Sequence, residues 1–180
     1  MKNTISFIIL LIGFLSNAQT IDRVYLKDGR VIEGTITEMN LTIKTADASM
    51  LAYVNDEILK IEKIIEVPYA VVENVPVFPD CEDAIEIRKC TSTKISGFVN
   101  SSFNTNIFKE LGLSGRQRLS VMFKIDIDGS IKSIRVRTAH KKLEEEAIRV
   151  VKLLPKMKPG SHNGEKVTVP YTLPIIKMVF

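Results

Sequence analysis

The sequence predicts an α+β fold: one antiparallel sheet covered on one face by helices, preceded by a small all-β, barrel-like module. Three observations carry that prediction. Residues 116–138 and 167–180 alternate apolar and polar side chains with a period of two. Between them, residues 140–154 carry an apolar stripe at helical spacing. Before residue 67 the chain reads as short β-type runs broken by turn residues.

Residues 1–18 read as a signal peptide. Lys2 precedes an apolar run, Ile5 to Leu15, and Ser16-Asn17-Ala18 places small residues where a signal peptidase reads. As a helix that run would span about 16 Å, roughly half a hydrocarbon layer. Cleavage near Gln19 is therefore expected rather than anchoring, and the membrane is a partner only if the leader is retained.

Residues 19–66 predict a β-rich module. Val24 to Lys27 and Val31 to Ile36 flank Asp28-Gly29, read as a two-residue hairpin turn with positive φ at both positions. Leu41 to Lys44 and Ile58 to Glu62 continue the pattern. Closing such strands into a barrel would remove exposed edges. Residues 67–80 contain Pro68, Pro76 and Pro79 and predict an extended connector.

Residues 81–180 form the second module. Ile95, Phe98, Val99, Phe103, Ile107, Phe108 and Leu111 recur at steps of three and four, predicting two helices interrupted at Asn100-Ser101-Ser102. Leu119, Val121, Phe123, Ile125 and Ile127 then face the core from one strand, and Asp128-Gly129 turns the chain. A two-residue turn sets Phe123 opposite Ile134 and Val121 opposite Val136, apolar against apolar. Leu143, Ala147, Ile148, Val151 and Leu154 predict an amphipathic helix ended by Pro155, with Glu145 and Arg149 paired across one turn. Val167, Val169, Tyr171, Leu173 and Ile175 share one face of the last strand.

The two modules differ in charge. Residues 19–80 carry six basic and eleven acidic side chains, and residues 81–180 carry eighteen and ten. The basic half calls for an acidic protein partner or a membrane surface, and export argues against nucleic acid. Arg135, Arg137, Lys132 and Lys124 line the polar face of the hairpin. Two cysteines in an exported chain, Cys81 and Cys90, predict a disulfide. A continuous helix would hold their Cα atoms about 13 Å apart, so a bridge and an unbroken helix over 81–90 exclude each other. No nucleophile–base pair, phosphate loop or metal-ligand spacing appears, and Glu144-Glu145-Glu146 point in different directions around a helix. Neither an enzyme nor a cofactor or metal is expected.

Several stretches resemble the C-terminal domain of TonB in its Bacteroidota-like form: residues 75–82, the hairpin Val121 to Ile131, the helix Leu143 to Val151, and Leu154 to Gly160 followed by Asn163-Gly164 and Val167 to Ile175. Together they cover about residues 75–180. Residues 22–66 resemble Sm-like or SH3-like small barrels. The TonB resemblance implies a periplasmic, protein-binding module. Such domains grip a short peptide of an outer-membrane transporter by β-augmentation, adding it as a strand to a sheet edge. Carried onto this chain, the partner-binding residues are Val167, Thr168, Val169, Tyr171, Thr172, Leu173, Ile175 and Ile176. The partner is then a transporter peptide or another envelope protein, with a homodimer left open. Energy-transducing members carry a membrane-spanning helix and a long proline-rich spacer, whereas this chain has a cleavable-looking leader and a small β module. A periplasmic adaptor or structural interaction protein without a transport role is the alternative.

One sequence feature constrains the edge. Pro170 and Pro174 have the same parity, and proline is tolerated only where no neighbour needs its N–H. The even-numbered backbone groups of the last strand are therefore expected to face outward, with Thr172 and Ile176 as donors.

Overall fold

The computed structural model describes residues 18–36, 42–45, 50–52 and 58–179. The expected leader lies outside the described residues apart from Ala18. Among the described residues no helix is long and apolar enough to cross a membrane.

Five strands build an N-terminal sheet: β1 (Gln19–Leu26), β2 (Val31–Ile36), β3 (Thr42–Thr45), β4 (Met50–Ala52) and β5 (Ile58–Glu66). All are antiparallel, in the order β4-β3-β2-β1-β5. The barrel-like closure expected from the sequence does not form among the described residues. The end of β5 is used elsewhere: Glu66 bridges Thr168 in parallel. Thr168 N–H donates to Ile65 O at 2.9 Å, and Val67 N–H donates to Thr168 O at 3.0 Å.

The C-terminal part follows as α1 (Ile87–Ser102), α2 (Asn106–Glu110), β6 (Gly115–Ile125), β7 (Ile131–Arg137), α3 (Lys141–Lys152), the short hairpin β8 (Gly160–His162) and β9 (Glu165–Val167), and β10 (Val169–Val179). Its sheet has the order β10-β6-β7. Leu119, Val121, Phe123 and Ile125 of β6 and Tyr171, Leu173 and Ile175 of β10 bury one face against Ile95, Val99, Leu143, Ala147 and Val151 of the helices. Among the described residues the opposite face carries no helix.

Both Asp-Gly turns differ from the two-residue loop expected. Only the glycines have positive φ, 87° at Gly29 and 82° at Gly129. The loops close at Leu26–Arg30 and Asp126–Ser130, where Leu26 N–H donates to Arg30 O and Asp126 N–H donates to Ser130 O, each at 2.9 Å. The Asp28 and Asp128 carboxylates each accept the backbone N–H two residues on, at 2.9 Å. That bond favours a type I turn ending in a left-handed glycine over type I′. Asn163 and Gly164 both have positive φ, and they join His162 to Glu165 by the two-residue loop.

The longer turn shifts the register of β7 by one residue, which alone would drive Arg135 and Arg137 into the core. A bulge corrects it. Met122 faces Arg135 while Lys124 faces Lys132, so Ser133 and Ile134 both oppose Phe123. Ser133 takes up the extra residue at φ 49°. Val121 then faces Val136, as the sequence requires.

Two details of the helices also differ. Asn100 to Ser102 remain helical, and the break falls at Phe103–Thr105, where Glu146 Oε1 accepts Asn104 N–H at 2.7 Å. Arg149 pairs with Glu146 at 2.7 Å rather than with Glu145. Its Nη2 also donates to Ser102 O at 3.0 Å. Glu146 is buried and its carboxyl sits below the usual range, held there by Arg149 against the cost of burial. Val150, not Ile148, completes the buried stripe of α3.

Cys81 and Cys90 are bonded, with Cα atoms 5.8 Å apart. The helix starts only at Ile87, so the geometric conflict noted above does not arise. No side chain caps α1, and the bond pins its first turn instead. Reduction is expected to cost about 2.5 kcal/mol by the chain-entropy model for a loop of this length. Thermal melts of the full chain with and without reductant measure the loss, and a Cys81→Ala/Cys90→Ala variant should match the reduced protein.

Candidate binding edge

The alternation of residues 167–176 makes β10 a strand whose odd-numbered side chains enter the core. Val169, Tyr171, Leu173 and Ile175 are buried, whereas Thr172, Pro174, Ile176 and Met178 are exposed. β10 pairs with β6 from Val169↔Ile125 to Val179↔Gly115 and has no second neighbour strand among the described residues. It is the edge of its sheet.

Which backbone groups face outward follows from three bonds. Thr168 N–H and O are both used on the outer side, as given above. Tyr69 N–H donates to Pro170 O at 3.4 Å on that side too. Even-numbered groups therefore point away from β6, in agreement with the proline parity. Residues 65–69 of the chain occupy the start of this edge. Past Pro170, Thr172, Ile176 and Met178 present outward N–H groups, and Pro174 contributes a carbonyl alone.

The residues covering the start of the edge are held firmly. Tyr69 packs edge-on against Tyr171, with ring centroids 4.8 Å apart. The Arg88 guanidinium lies 5.3 Å from the Tyr69 ring centroid. Arg88 donates to Tyr69 O, and to Val72 O at 2.7 Å, while Tyr69 Oη donates to Arg88 O at 2.8 Å. Burial, with Tyr171 close by, pushes the Tyr69 hydroxyl up to about 12. Val67, Val72 and Val75 close a small apolar cluster with Val167 and Val169.

Beside this cluster an ion network joins the two sheets. Arg23 of β1 bonds Asp126 at 3.0 Å and Glu33 at 2.8 Å. Thr168 Oγ1 donates to Asp126 at 2.8 Å. Lys124 of β6 meets Glu33 at 3.0 Å and also meets Glu66. Burial works against the Asp126 and Glu33 carboxylates, yet both sit below their usual range because Arg23 bonds each of them, with Thr168 aiding Asp126 and Lys124 aiding Glu33. Burial likewise opposes the Lys124 ammonium, and its bonds to Glu66 and Glu33 prevail and hold it above the lysine range.

The pH consequence has a definite sign. Both carboxyls are more acidic folded than unfolded, so their contribution is complete above the unfolded value and is lost as pH falls through the folded one. Urea midpoints are expected to hold from neutral pH to about 5 and to fall below about 4. An Asp126→Asn variant should fall less steeply in that window.

Of the residues expected at the partner site, Thr172 and Ile176 lie on the open stretch with outward donors. Tyr171, Leu173 and Ile175 give their N–H groups inward. Thr168 is already paired, and Val167 and Val169 are core. Of the cations on the basic face of the hairpin, Lys124 is the one paired with the N-terminal sheet among the described residues, and Ser133 Oγ beside it donates to Glu33 at 3.4 Å. Arg23, Glu66, Tyr69 and Asp126 were not legible as site residues, since each acquires its role from a partner far away in the chain. The alternation of β6 places Asp126 on the polar face with Lys124 and says nothing of its partner.

Residues 107–176 match the family model of the Gram-negative bacterial TonB protein C-terminal. The TonB match runs from α2 to Ile176, so it takes in β6, β7, α3 and most of β10, the edge included. It leaves out α1, the disulfide and the N-terminal sheet. No curated protein and no solved structure gives a significant match to the chain. The match makes this part of the chain TonB-like, a class associated with the cell envelope and with transport. TonB-like domains interact with outer-membrane transporters, and the family works by energy transduction and interaction rather than by catalysis.

Proposed function

We propose that the chain is a periplasmic TonB-like protein that binds the short peptide segment of an outer-membrane transporter as an added strand along β10, from Thr172 to Met178. The open row of outward backbone groups past Pro170, inside the TonB-matched residues as far as Ile176, carries this reading. Main-chain hydrogen bonds would supply affinity, and the exposed Ile176 and Met178 side chains would contact the alternate residues of the peptide.

Pro174 removes one donor from the middle of this edge, and residues 65–69 remove its first third. Binding is therefore expected to be weak. Pro174→Thr should tighten it about three- to tenfold, the worth of one hydrogen bond. Ile176→Pro should weaken it by a similar factor. Titration of the full chain with synthetic N-terminal peptides of outer-membrane transporters measures both. Equal affinity in all three proteins would refute the added strand.

A further inference from the structure

The open face of the C-terminal sheet bears a row of cations on β6, and the chain itself shows what pairs with one of them. Glu66 stands at the outer edge of β10, bridged to Thr168, one strand away from β6. Its carboxylate nevertheless reaches over β10 to Lys124, which is in register with Pro170. An acid on a strand added at this edge can thus meet a β6 cation in the second strand.

Lys124 belongs to a series of one parity: Arg116, Arg118, Ser120, Met122, Lys124. Arg118 is in register with Ile176 and Arg116 with Met178. Both arginines are exposed, and neither forms an ion pair among the described residues. Arg135 and Arg137 of β7, opposite Met122 and Ser120, extend the same face and are also exposed. Each cation and acid of the face that this chain pairs takes its opposite: Glu33 and Glu66 come to Lys124, and Arg23 comes to Asp126.

We infer that the strand accepted by β10 is acidic, with Asp or Glu at alternate positions that reach over Ile176 and Met178 to Arg118 and Arg116, as Glu66 reaches Lys124. This inference rests on the added-strand reading and specifies the chemistry of its partner. Near Thr172 and Pro174 the facing β6 residues are Met122 and Ser120, so the partner is uncharged at that end. Recognition combines backbone pairing, which is indifferent to sequence, with charge, which is not.

The test uses the full chain and blocked peptides of alternating valine and glutamate, long enough to span Thr172 to Val179, against the same peptides with glutamine. At low ionic strength the glutamate peptide should bind about tenfold tighter, the sum of a few exposed pairs. That advantage should shrink as salt shortens the screening length, and should fall to about twofold in Arg116→Gln/Arg118→Gln. Peptides N-methylated at alternate amides, one for each phase, report on the strand itself: one phase should lose binding. Equal affinity for the glutamate and glutamine peptides, or an advantage that survives the double arginine variant, overturns the acidic partner while leaving the strand. Full binding by both methylated phases overturns the strand.

Discussion

Replacing Asp126 by alanine is expected to destabilise the protein by about 3 kcal/mol, at the low end for breaking a buried ion pair. Asp126 is 3% exposed and bonds Arg23 through both oxygens, at 3.0 and 3.2 Å. Without it the guanidinium keeps Glu33 but loses its buried partner, and the Thr168 hydroxyl loses its acceptor. The low end is expected because Glu33 remains. Urea denaturation gives the size, and the double variant Arg23→Leu/Asp126→Leu gives the mechanism. Removing both charges should recover most of the loss, because an apolar pair needs no desolvation. A double variant as unstable as the single one would mean that the network acts by shape rather than charge. Asp126→Ala should also loosen the pairing of residues 65–67 with Thr168, since Arg23 and Thr168 share that carboxylate. The Thr168 amide, slow to exchange in the parent, should then exchange faster.

Gly129→Ala is expected to cost about 3 kcal/mol, combining a left-handed alanine with overpacking. Gly129 has φ 82°, and a Cβ added there would stand 1.8 Å from Met157 O. The turn cannot retreat freely, because Met157 N–H donates to Gly129 O at 3.0 Å. Gly29 provides the control. It occupies the same position of the same kind of turn at φ 87°, with nothing within 4 Å of an added Cβ. Gly29→Ala should cost only about 1 kcal/mol, the backbone term alone. Thermal melts of the two variants separate backbone strain from the clash with Met157, and equal losses would show that the contact carries none of the effect.

What could be read in advance was what side-chain periodicity and proline chemistry encode locally. The alternation along Val169 to Ile175 placed a half-buried strand, and Pro170 and Pro174 told which of its edges had to lie open. The apolar match of Val121 with Val136 was legible as well, although the path to it was not. The Asp carboxylates draw the loops into three-residue turns, and Ser133 then absorbs the offset as a bulge. Two compensating local choices leave the same outcome in the pattern as none. Tertiary docking was illegible for a different reason. Arg23 and Asp126 are 103 residues apart, and nothing in the surroundings of either announces the other. The use of the end of β5 was illegible for the same cause: Glu66 pairs with Thr168, a residue whose role no local pattern assigns. Glu146 read as one of three acids pointing in different directions around a helix, and only the packing of Asn104 and Arg149 around it makes it a buried anchor.

Residue-resolved hydrogen exchange across β10, in the free chain and with the alternating valine–glutamate peptide added, tests the open edge most directly. In the free chain Tyr171, Leu173 and Ile175 amides should be slow and Thr172, Ile176 and Met178 fast, because only the first set is bonded to β6. Adding the peptide should slow Thr172 and Ile176 and leave the odd-numbered amides as they were. Protection of Thr172 and Ile176 equal to that of their neighbours before any peptide is present would contradict an edge free to receive a strand.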